Sequence, residues 1–224
     1  MPEKTIKEQI QYLSSFVLEQ RWLQLNRVLD MRTRYLTVCL ENIYQSQNAS
    51  AVLRTCDAFG IQDVHVIEQS NEFAINPDVS LGTDKWLSIY KHNTLGMIDG
   101  LRSNGYRIVA TTPRDNSVSI DNFDLSKGKT ALFFGTELTG LSDEMMSKAD
   151  EFLYIPMYGF VESFNISVSA SIILHHFVTK LKGSSIQWQL SDEDKNTILF
   201  KWIKSSIRSS GLLLERFFED HKNY

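Results

Sequence analysis

The sequence predicts an α/β protein in which a parallel sheet is sandwiched by helices on both faces. Through the middle of the 224-residue chain, short runs of strand-forming residues alternate with helical patterns, which is the order of β-α-β units. The strand runs are almost continuously apolar, as in "YLTVCLENI" and "TALFFGT". Runs of this kind are typical of strands that are buried on both faces of a parallel sheet.

Helical patterns open and close the chain. The first 34 residues carry apolar side chains at helical spacing and predict one helix or two. A last amphipathic helical stretch begins near Ser191 and continues through Phe218. We therefore expect an N-terminal helical extension over 1–34, a central domain over 35–182 and a C-terminal helical extension over 183–224.

Within the central domain, strands and helices follow one another at short intervals. Apolar runs predict strands over 35–43, 64–68, 106–112, 130–136 and 151–157. Residues 69–93 have little periodicity and contain an Asn-Pro pair, so we expect mostly loop there. Capping residues and glycines predict the helices: one from Asn48 as N-cap to Gly60 as C-terminal stop, one over 94–105, a short one capped by Ser142, and a long one over 165–182.

The composition excludes several classes of protein. The two cysteines, Cys39 and Cys56, lie in apolar runs without metal-ligand spacing, so we expect neither a disulfide framework nor a metal site. The amino terminus does not resemble a signal peptide and no apolar run is long enough to span a membrane. We therefore expect a cytoplasmic protein without a membrane partner. The net charge of −4 argues against nucleic-acid binding by the whole surface, but it permits a local basic patch.

Three loops carry unusual polar chemistry at the carboxyl ends of predicted strands, where open parallel sheets bind ligands. They are the turn into 48–54, "FFGTELTGLS" over 133–142, and "IPMYGFVESFNISVSAS" over 155–171. Neither GxGxxG nor GxxxxGK[ST] occurs, which argues against a dinucleotide fold or a P-loop.

Each candidate residue in these loops also has an ordinary structural role available. A single side-chain acceptor is enough to cap a helix, whereas several polar side chains cluster before the apolar helix at 165–182, and that surplus favours a binding site. The structural alternatives are an N-cap for Asn48, an ion pair of Arg54 with Asp57, an ion pair of Glu137 with Lys148, and helix caps for Ser163 and Asn165.

Three motifs in this order resemble the SpoU/TrmH family of RNA methyltransferases, within the SPOUT superfamily. "NASAVLRTCDAFG" is similar to the first motif, an Asn followed six positions later by an Arg. "FFGTELTGLS" is similar to the second, and "IPMYGFVESFNISVSASIIL" to the third. Phe164 stands where the family usually has Leu, and the resemblance covers about residues 35–182.

The resemblance implies an S-adenosylmethionine-dependent transfer of methyl groups to ribose 2′-oxygens of RNA. It also implies a sheet whose C-terminal part forms a deep trefoil knot, which general rules of chain topology would not suggest, and a homodimer. The tail resembles that of the tRNA-modifying members, so we expect a tRNA, with a D-loop guanosine as the target. The alternatives are methylation of ribosomal RNA, an inactive RNA-binding relative, and an unrelated nucleotide-dependent enzyme such as an oxidoreductase.

By the same resemblance, the site residues are assigned by motif. The cofactor is expected against Thr111, Gly135, Ile155 and Phe164. Arg54 is expected nearest the reaction, either as base or as electrostatic stabiliser, and a guanidinium that is always protonated favours the second role. The other expected catalytic residues are Asn48, Glu137, Ser163 and Asn165.

Basic residues in the two helical extensions are candidates for contacts with the RNA backbone. An ordinary solvated helix face is the alternative for any one of them. The candidates are Arg21, Arg27, Arg32, Arg34, Lys204 and Arg208.

Overall fold

The chain packs as two compact units. The computed structural model describes residues 6–68, 73–112, 114, 116–136 and 139–220. One unit is Thr33–Trp188, and the other combines Met1–Arg32 with Gln189–Tyr224. Within the described residues the chain forms nine α-helices and seven strands.

The unit Thr33–Trp188 is built on one parallel sheet. Its strands are β1 (Leu36–Glu41), β2 (Asp63–Ile67), β3 (Ser88–His92), β4 (Tyr106–Thr111), β5 (Val118–Ser119), β6 (Lys129–Phe134) and β7 (Glu151–Tyr154). They lie in the order β3-β2-β1-β6-β4-β7-β5, and each neighbouring pair is parallel. All of β1 is buried, as expected for a central strand that is covered on both faces. The predicted α/β class with a parallel sheet is confirmed.

Helices cover both faces of this sheet because alternate residues of its central strands point to opposite sides. Val38, Leu132 and Val109 belong to the hydrophobic core under α3 (Ser46–Phe59) and α7 (Ile166–Lys182). Cys39 and Phe133 belong to a second core on the other face. That core includes residues of α5 (Met97–Ser103) and α6 (Asp143–Lys148).

Two helix boundaries form as their local sequence signals predict. Gly60 ends α3 in the left-handed conformation, with a φ of 79°, which glycine adopts without a steric penalty. Ser142 caps α6, and its Oγ accepts a hydrogen bond from the backbone N–H of Met145 at 3.1 Å. The local sequence is sufficient to predict both helix boundaries, because the groups that bond at each one are within three or four residues of each other.

The structure corrects the predictions for residues 69–93 and 94–105. Residues 69–72 lie outside the described residues. The rest of this range, 73–93, is not mostly loop, because Ser88–His92 forms β3, with the four-residue α4 (Pro77–Ser80) and a 3₁₀ helix (Thr83–Trp86) before it. This strand lies at the edge of the sheet and is only partly buried, so it lacks the apolar run by which the other strands are recognised. The helix predicted over 94–105 is shorter, Met97–Ser103.

The helix that carries Asn48 begins earlier than predicted. It starts at Ser46, after the extended residue Gln45. Asn48 therefore lies in the first turn of α3 and is not its N-cap. The correction matters for the site, because a side chain in the first turn points out of the helix and can bond with a neighbouring element.

The second unit contains α1 (Ile6–Ser14), α2 (Glu19–Asp30), α8 (Asp192–Ser206) and α9 (Ser210–Asp220). Trp202 and Ile203 of α8 are buried, as are Leu13 of α1 and Phe217 of α9. The predicted single terminal helix is divided at 207–209. The segment around that break is rich in serine, which favours backbone hydrogen bonding outside helices. None of the helices in the described part of the chain has the length and apolarity needed to cross a bilayer.

Candidate active site

A cavity of about 670 Å³ lies at the carboxyl ends of β4, β6 and β7. Thr111 ends β4 and Gly135 directly follows β6, and both line it. Ile155 directly follows β7 and Phe164 precedes α7, and both line the same cavity. The structure brings these four residues together, and their contact with a cofactor stays a prediction.

Gly135 allows two backbone segments to meet at the wall of this cavity. A Cβ atom at position 135 would lie 2.2 Å from the backbone carbonyl of Gly140, far inside ordinary contact distance. Thr136 and Gly140 exchange two backbone hydrogen bonds of 3.0 Å directly beside it. The loop after β6 therefore folds back on itself, and only glycine fits where it closes.

The cavity wall is of mixed polarity. Leu153, Ile166 and Ile173 supply apolar surface, while Glu162 and Ser163 supply a carboxylate and a hydroxyl. An apolar pocket with a few convergent polar groups is the usual form of a small-molecule site. The predicted catalytic residue Ser163 is thus placed at the cavity that the predicted cofactor residues line.

Asn48 and Asn165 are joined by a hydrogen bond between α3 and α7. The amide Nδ2 of Asn165 donates to Oδ1 of Asn48 at 3.1 Å, and Nδ2 of Asn48 donates to Oε1 of Gln45 at 2.9 Å. Asn165 is also the N-cap of α7, since its Oδ1 accepts from the backbone N–H of Ser167 at 2.9 Å. The structural alternative therefore holds for Asn165, but its amide group has a second partner that capping does not require.

Arg54 is exposed on α3 and, in the described part of the chain, is not among the residues that line the cavity. The hydroxyl oxygen of the neighbouring residue Thr55 lies 3.1 Å from the hydroxyl oxygen of Ser171 on α7. This contact between the two helices fixes the backbone that carries Arg54. Glu137 lies outside the described residues, and with it the alternative ion pair to Lys148. Lys148 Nζ lies 3.8 Å from a carboxylate oxygen of Glu144.

Comparison with known proteins identifies the family. The profile of the SpoU rRNA Methylase family matches residues 35–175. The chain belongs to this family. The match sets aside the alternative of an unrelated nucleotide-dependent enzyme, and it spans all three motif regions.

Two relatives and one solved structure illustrate the place of the chain in the SpoU family. It is 42% identical to a tRNA (guanosine(18)-2′-O)-methyltransferase of Borreliella burgdorferi over 91% of this chain and 94% of the relative. A protein of the same name from Aquifex aeolicus is 36% identical over 83% and 90% of the two chains. The crystal structure of the A. aeolicus TrmH/SpoU tRNA modifying enzyme superposes with a TM-score of 0.76 at 33% identity, covering 84% of this chain and 98% of that one.

The basic residues predicted to contact RNA differ in exposure. Arg27, Lys204 and Arg208 are exposed, and a cavity of about 530 Å³ along α2 is lined by Arg21 and Arg27. Arg34 Nε forms an ion pair with an oxygen of Asp63 at 3.0 Å. Its charge is thereby engaged within the chain.

Arg32 requires a correction. It is 1% exposed, and its guanidinium carbon lies 5.2 Å from the centroid of the Trp202 ring. A cation packed on an aromatic side chain inside a unit cannot reach an RNA phosphate. Arg32 is therefore not retained among the proposed RNA contacts.

Sequence reasoning missed Glu41 at the end of β1. Both of its carboxylate oxygens accept hydrogen bonds from Ser142, although Glu41 is buried. The sequence did contain a signal, because Glu41 is the single carboxylate of a largely apolar strand and lies at its carboxyl end. A buried charge requires a partner, so such a residue is expected to bind another segment or a ligand.

Proposed function

We propose that this chain is an S-adenosylmethionine-dependent methyltransferase that modifies the 2′-oxygen of guanosine 18 in tRNA. The observation that carries this proposal is the 42% identity, over 94% of the relative's length, to a protein named for that reaction. Identity at this level across nearly the whole of both chains, including at least part of each helical extension, favours a shared RNA target. A cytoplasmic location follows from the proposed substrate.

The cavity at the carboxyl edge of the sheet is the proposed cofactor site. Its volume of about 670 Å³ lies within the range of about 300–1,000 Å³ of small-molecule sites. Thr111, Gly135, Ile155 and Phe164 are the proposed contacts. The carboxylate of Glu162, which lines the cavity, suits a ligand that carries positive charge, because opposite charges attract.

The architecture around this cavity is proposed from the same family membership. We propose that the C-terminal part of the sheet region forms a trefoil knot, that the methyltransferase domain spans 35–182, and that 1–34 and 183–224 are helical extensions. The similarity to the A. aeolicus structure, at a TM-score of 0.76, supports a common chain path.

The chain's own residues position the RNA and stabilise charge. When bound, S-adenosylmethionine supplies a methyl group that its sulfonium already activates. Arg54 remains protonated at any physiological pH, so its proposed role is to bind an RNA phosphate and to stabilise the negative charge that develops on the 2′-oxygen. Asn48 and Asn165 hold each other across α3 and α7, next to the amino terminus of α7, where backbone N–H groups favour anions. Glu137, together with Asn48, is proposed to orient Arg54 or the ribose. Ser163, together with Asn165, is proposed to hold the target ribose and phosphate.

A second copy of the chain is the proposed partner of the surface around the third motif. Large apolar side chains are exposed there in a short segment, with Tyr158 97% exposed and Val161 64% exposed. Phe164 and Val168, near the start of α7, are also partly exposed. A concentrated apolar surface of this kind is typical of a protein interface, and its position beside the cavity would place the dimer contact at the active site.

Transfer of labelled methyl groups to defined RNA tests the proposed function. A tRNA transcript should accept one methyl group, which mass spectrometry should locate on the ribose of guanosine 18. A matched transcript with a 2′-deoxy residue at that nucleotide should accept none. Label found on another nucleotide, or on ribosomal RNA alone, would contradict the tRNA assignment. Binding of cofactor and RNA without transfer would instead indicate an inactive RNA-binding relative.

A further inference from the structure

A buried carboxylate on β1 holds the loop that follows β6. Glu41 is 1% exposed. One oxygen accepts a hydrogen bond from the backbone N–H of Ser142 at 2.8 Å, and the other accepts from the Ser142 hydroxyl at 2.5 Å. Both oxygens therefore bond to a residue that lies 101 positions later in the chain.

These hydrogen bonds are more than the capping of α6 requires. The Ser142 hydroxyl oxygen already accepts from the N–H of Met145, which is the helix cap. The remaining unmet donor is the N–H of Ser142 itself, which in a capping box bonds to a Glu or Gln three residues after the cap. That position is Met145, which has no suitable acceptor. Glu41 supplies the missing carboxylate from a different strand.

The clamped loop separates two cavities. Its residues Thr136 and Gly140 line the proposed cofactor cavity on one side. They also line a cavity of about 360 Å³ on the other side, together with Glu41 and Ser142. Asn42, which follows Glu41, adopts a left-handed φ of 53° that asparagine tolerates better than most residues. The chain therefore changes direction immediately after Glu41. The Glu41 carboxylate contacts the loop at the 360 Å³ cavity and not at the proposed cofactor cavity.

We propose that Glu41 is a positioning residue for the cofactor cavity, and that it acts through Ser142 by fixing the described residues of the loop after β6, which are 135–136 and 139–142. The inference rests on the proposed cofactor site. Within the described residues Glu41 does not line that cavity, and both of its oxygens bond to Ser142, so the proposed role is positioning and not catalysis. The loop is closed at one end by the Thr136–Gly140 hydrogen bonds and held at the other by Glu41. Without the second restraint, Gly135 and Gly140 are no longer kept in their binding positions.

Two substitutions of Glu41 and one matched control test this role. Glu41→Ala leaves two donors of Ser142 without their acceptors. Glu41→Gln keeps the shape and one good acceptor, and its amide can donate to the hydroxyl oxygen, so it should rescue part of the effect. Asp150→Ala is the control, because Asp150 also accepts from a backbone N–H, that of Ile108, at 2.7 Å. Asp150 directly precedes β7 and therefore lies at the amino ends of the strands, away from the cofactor cavity at their carboxyl ends.

The measurements are the dissociation constant for S-adenosylmethionine by calorimetry and hydrogen exchange of the 135–146 peptide without ligand. Glu41→Ala should raise the dissociation constant by about tenfold, an amount equivalent to about 1.4 kcal/mol, and should speed exchange in that peptide. Glu41→Gln should fall between Glu41→Ala and the wild type. Asp150→Ala should leave the dissociation constant within about twofold of the wild type, even where its thermal stability falls equally.

The outcomes distinguish this inference from the proposed function. If the wild type binds the cofactor and both Glu41 variants bind it equally well, the positioning role is refuted and the function stands. If Asp150→Ala weakens binding as much as Glu41→Ala, the effect is one of general stability and the role is again refuted. If the wild type binds no cofactor, the proposed site fails, and unchanged exchange of the 135–146 peptide in Glu41→Ala would refute the positioning role as well.

Discussion

We predict that replacing His65 by phenylalanine removes part of the acid sensitivity of the folded chain. His65 Nδ1 lies 3.0 Å from His92 Nε2 across β2 and β3, and the His65 ring stacks on Tyr90 with centroids 5.0 Å apart. Burial, and secondarily the neighbouring His92, lower the pKa of His65 from 6.5 to about 4. The two imidazoles can share a hydrogen bond only while at least one of them is neutral.

The sign and size of the effect follow from linkage. At pH values well above 6.5, neither the folded nor the unfolded chain binds a proton at His65, so the folded state has its full stability there. As the pH falls from 6.5 to about 4, the unfolded chain binds a proton that the folded chain does not, and the free energy of unfolding decreases. At about 1.4 kcal/mol per pH unit, this interval corresponds to a loss of about 3 kcal/mol.

Urea unfolding at a series of pH values between about 7 and about 4.5 measures this loss. In the variant His65→Phe, which keeps a ring against Tyr90, the free energy of unfolding should fall less steeply with decreasing pH. The difference in slope should approach one proton. His175→Gln, at an exposed position on α7, is the control and should keep the wild-type slope. Equal slopes for the wild type and His65→Phe would refute the reasoning.

Four further predictions concern the site and the RNA. Arg54→Ala should fold and bind cofactor but lose methyl transfer by at least about two orders of magnitude; near-normal turnover would remove Arg54 from the mechanism. Gly135→Ala should weaken cofactor binding, because its Cβ would lie 2.2 Å from Gly140, and an unchanged dissociation constant by calorimetry would contradict the close approach. Asn165→Ala should lower thermal stability through the lost cap, by about 1 kcal/mol, and should reduce turnover or RNA binding more than cofactor binding; equal losses would leave only the cap. Filter binding to tRNA should weaken steeply with salt, and Arg208→Ala should lower that slope, whereas an unchanged slope would exclude Arg208 as a phosphate contact.

Local patterns predicted those features of the fold that depend on nearby residues. Gly60 and Ser142 end and begin helices as expected, since helix caps involve groups only a few positions apart. The apolar runs predicted the central strands because a strand that is buried on both faces consists almost entirely of apolar residues. The edge strand β3 escaped the same reasoning because it is only partly buried.

Features that depend on distant contacts could not be predicted from one sequence. Arg32 follows a helix with two arginines and was assigned to the RNA surface, but Trp202, 170 positions later, packs against its guanidinium. The start of α3 was predicted three residues late, with Asn48 at the N-cap position that Gln45 occupies in the structure. The motif residues were found by family resemblance, whereas their convergence on one cavity depends on the order of strands in the sheet.

The end of β1 organises both halves of the candidate site. Glu41, its last residue, reaches the loop after β6 through Ser142. Seven residues later, Asn48 reaches the amino terminus of α7 through Asn165. A central strand is the element least able to move in a parallel sheet, because it is hydrogen-bonded on both sides and covered on both faces. Polar side chains that leave its carboxyl end can therefore hold two otherwise separate segments, one at the proposed cofactor cavity and one at the proposed ribose position, in a fixed relation. This arrangement explains why the first motif lies directly after β1, although neither Glu41 nor Asn48 lines the cavity within the described residues.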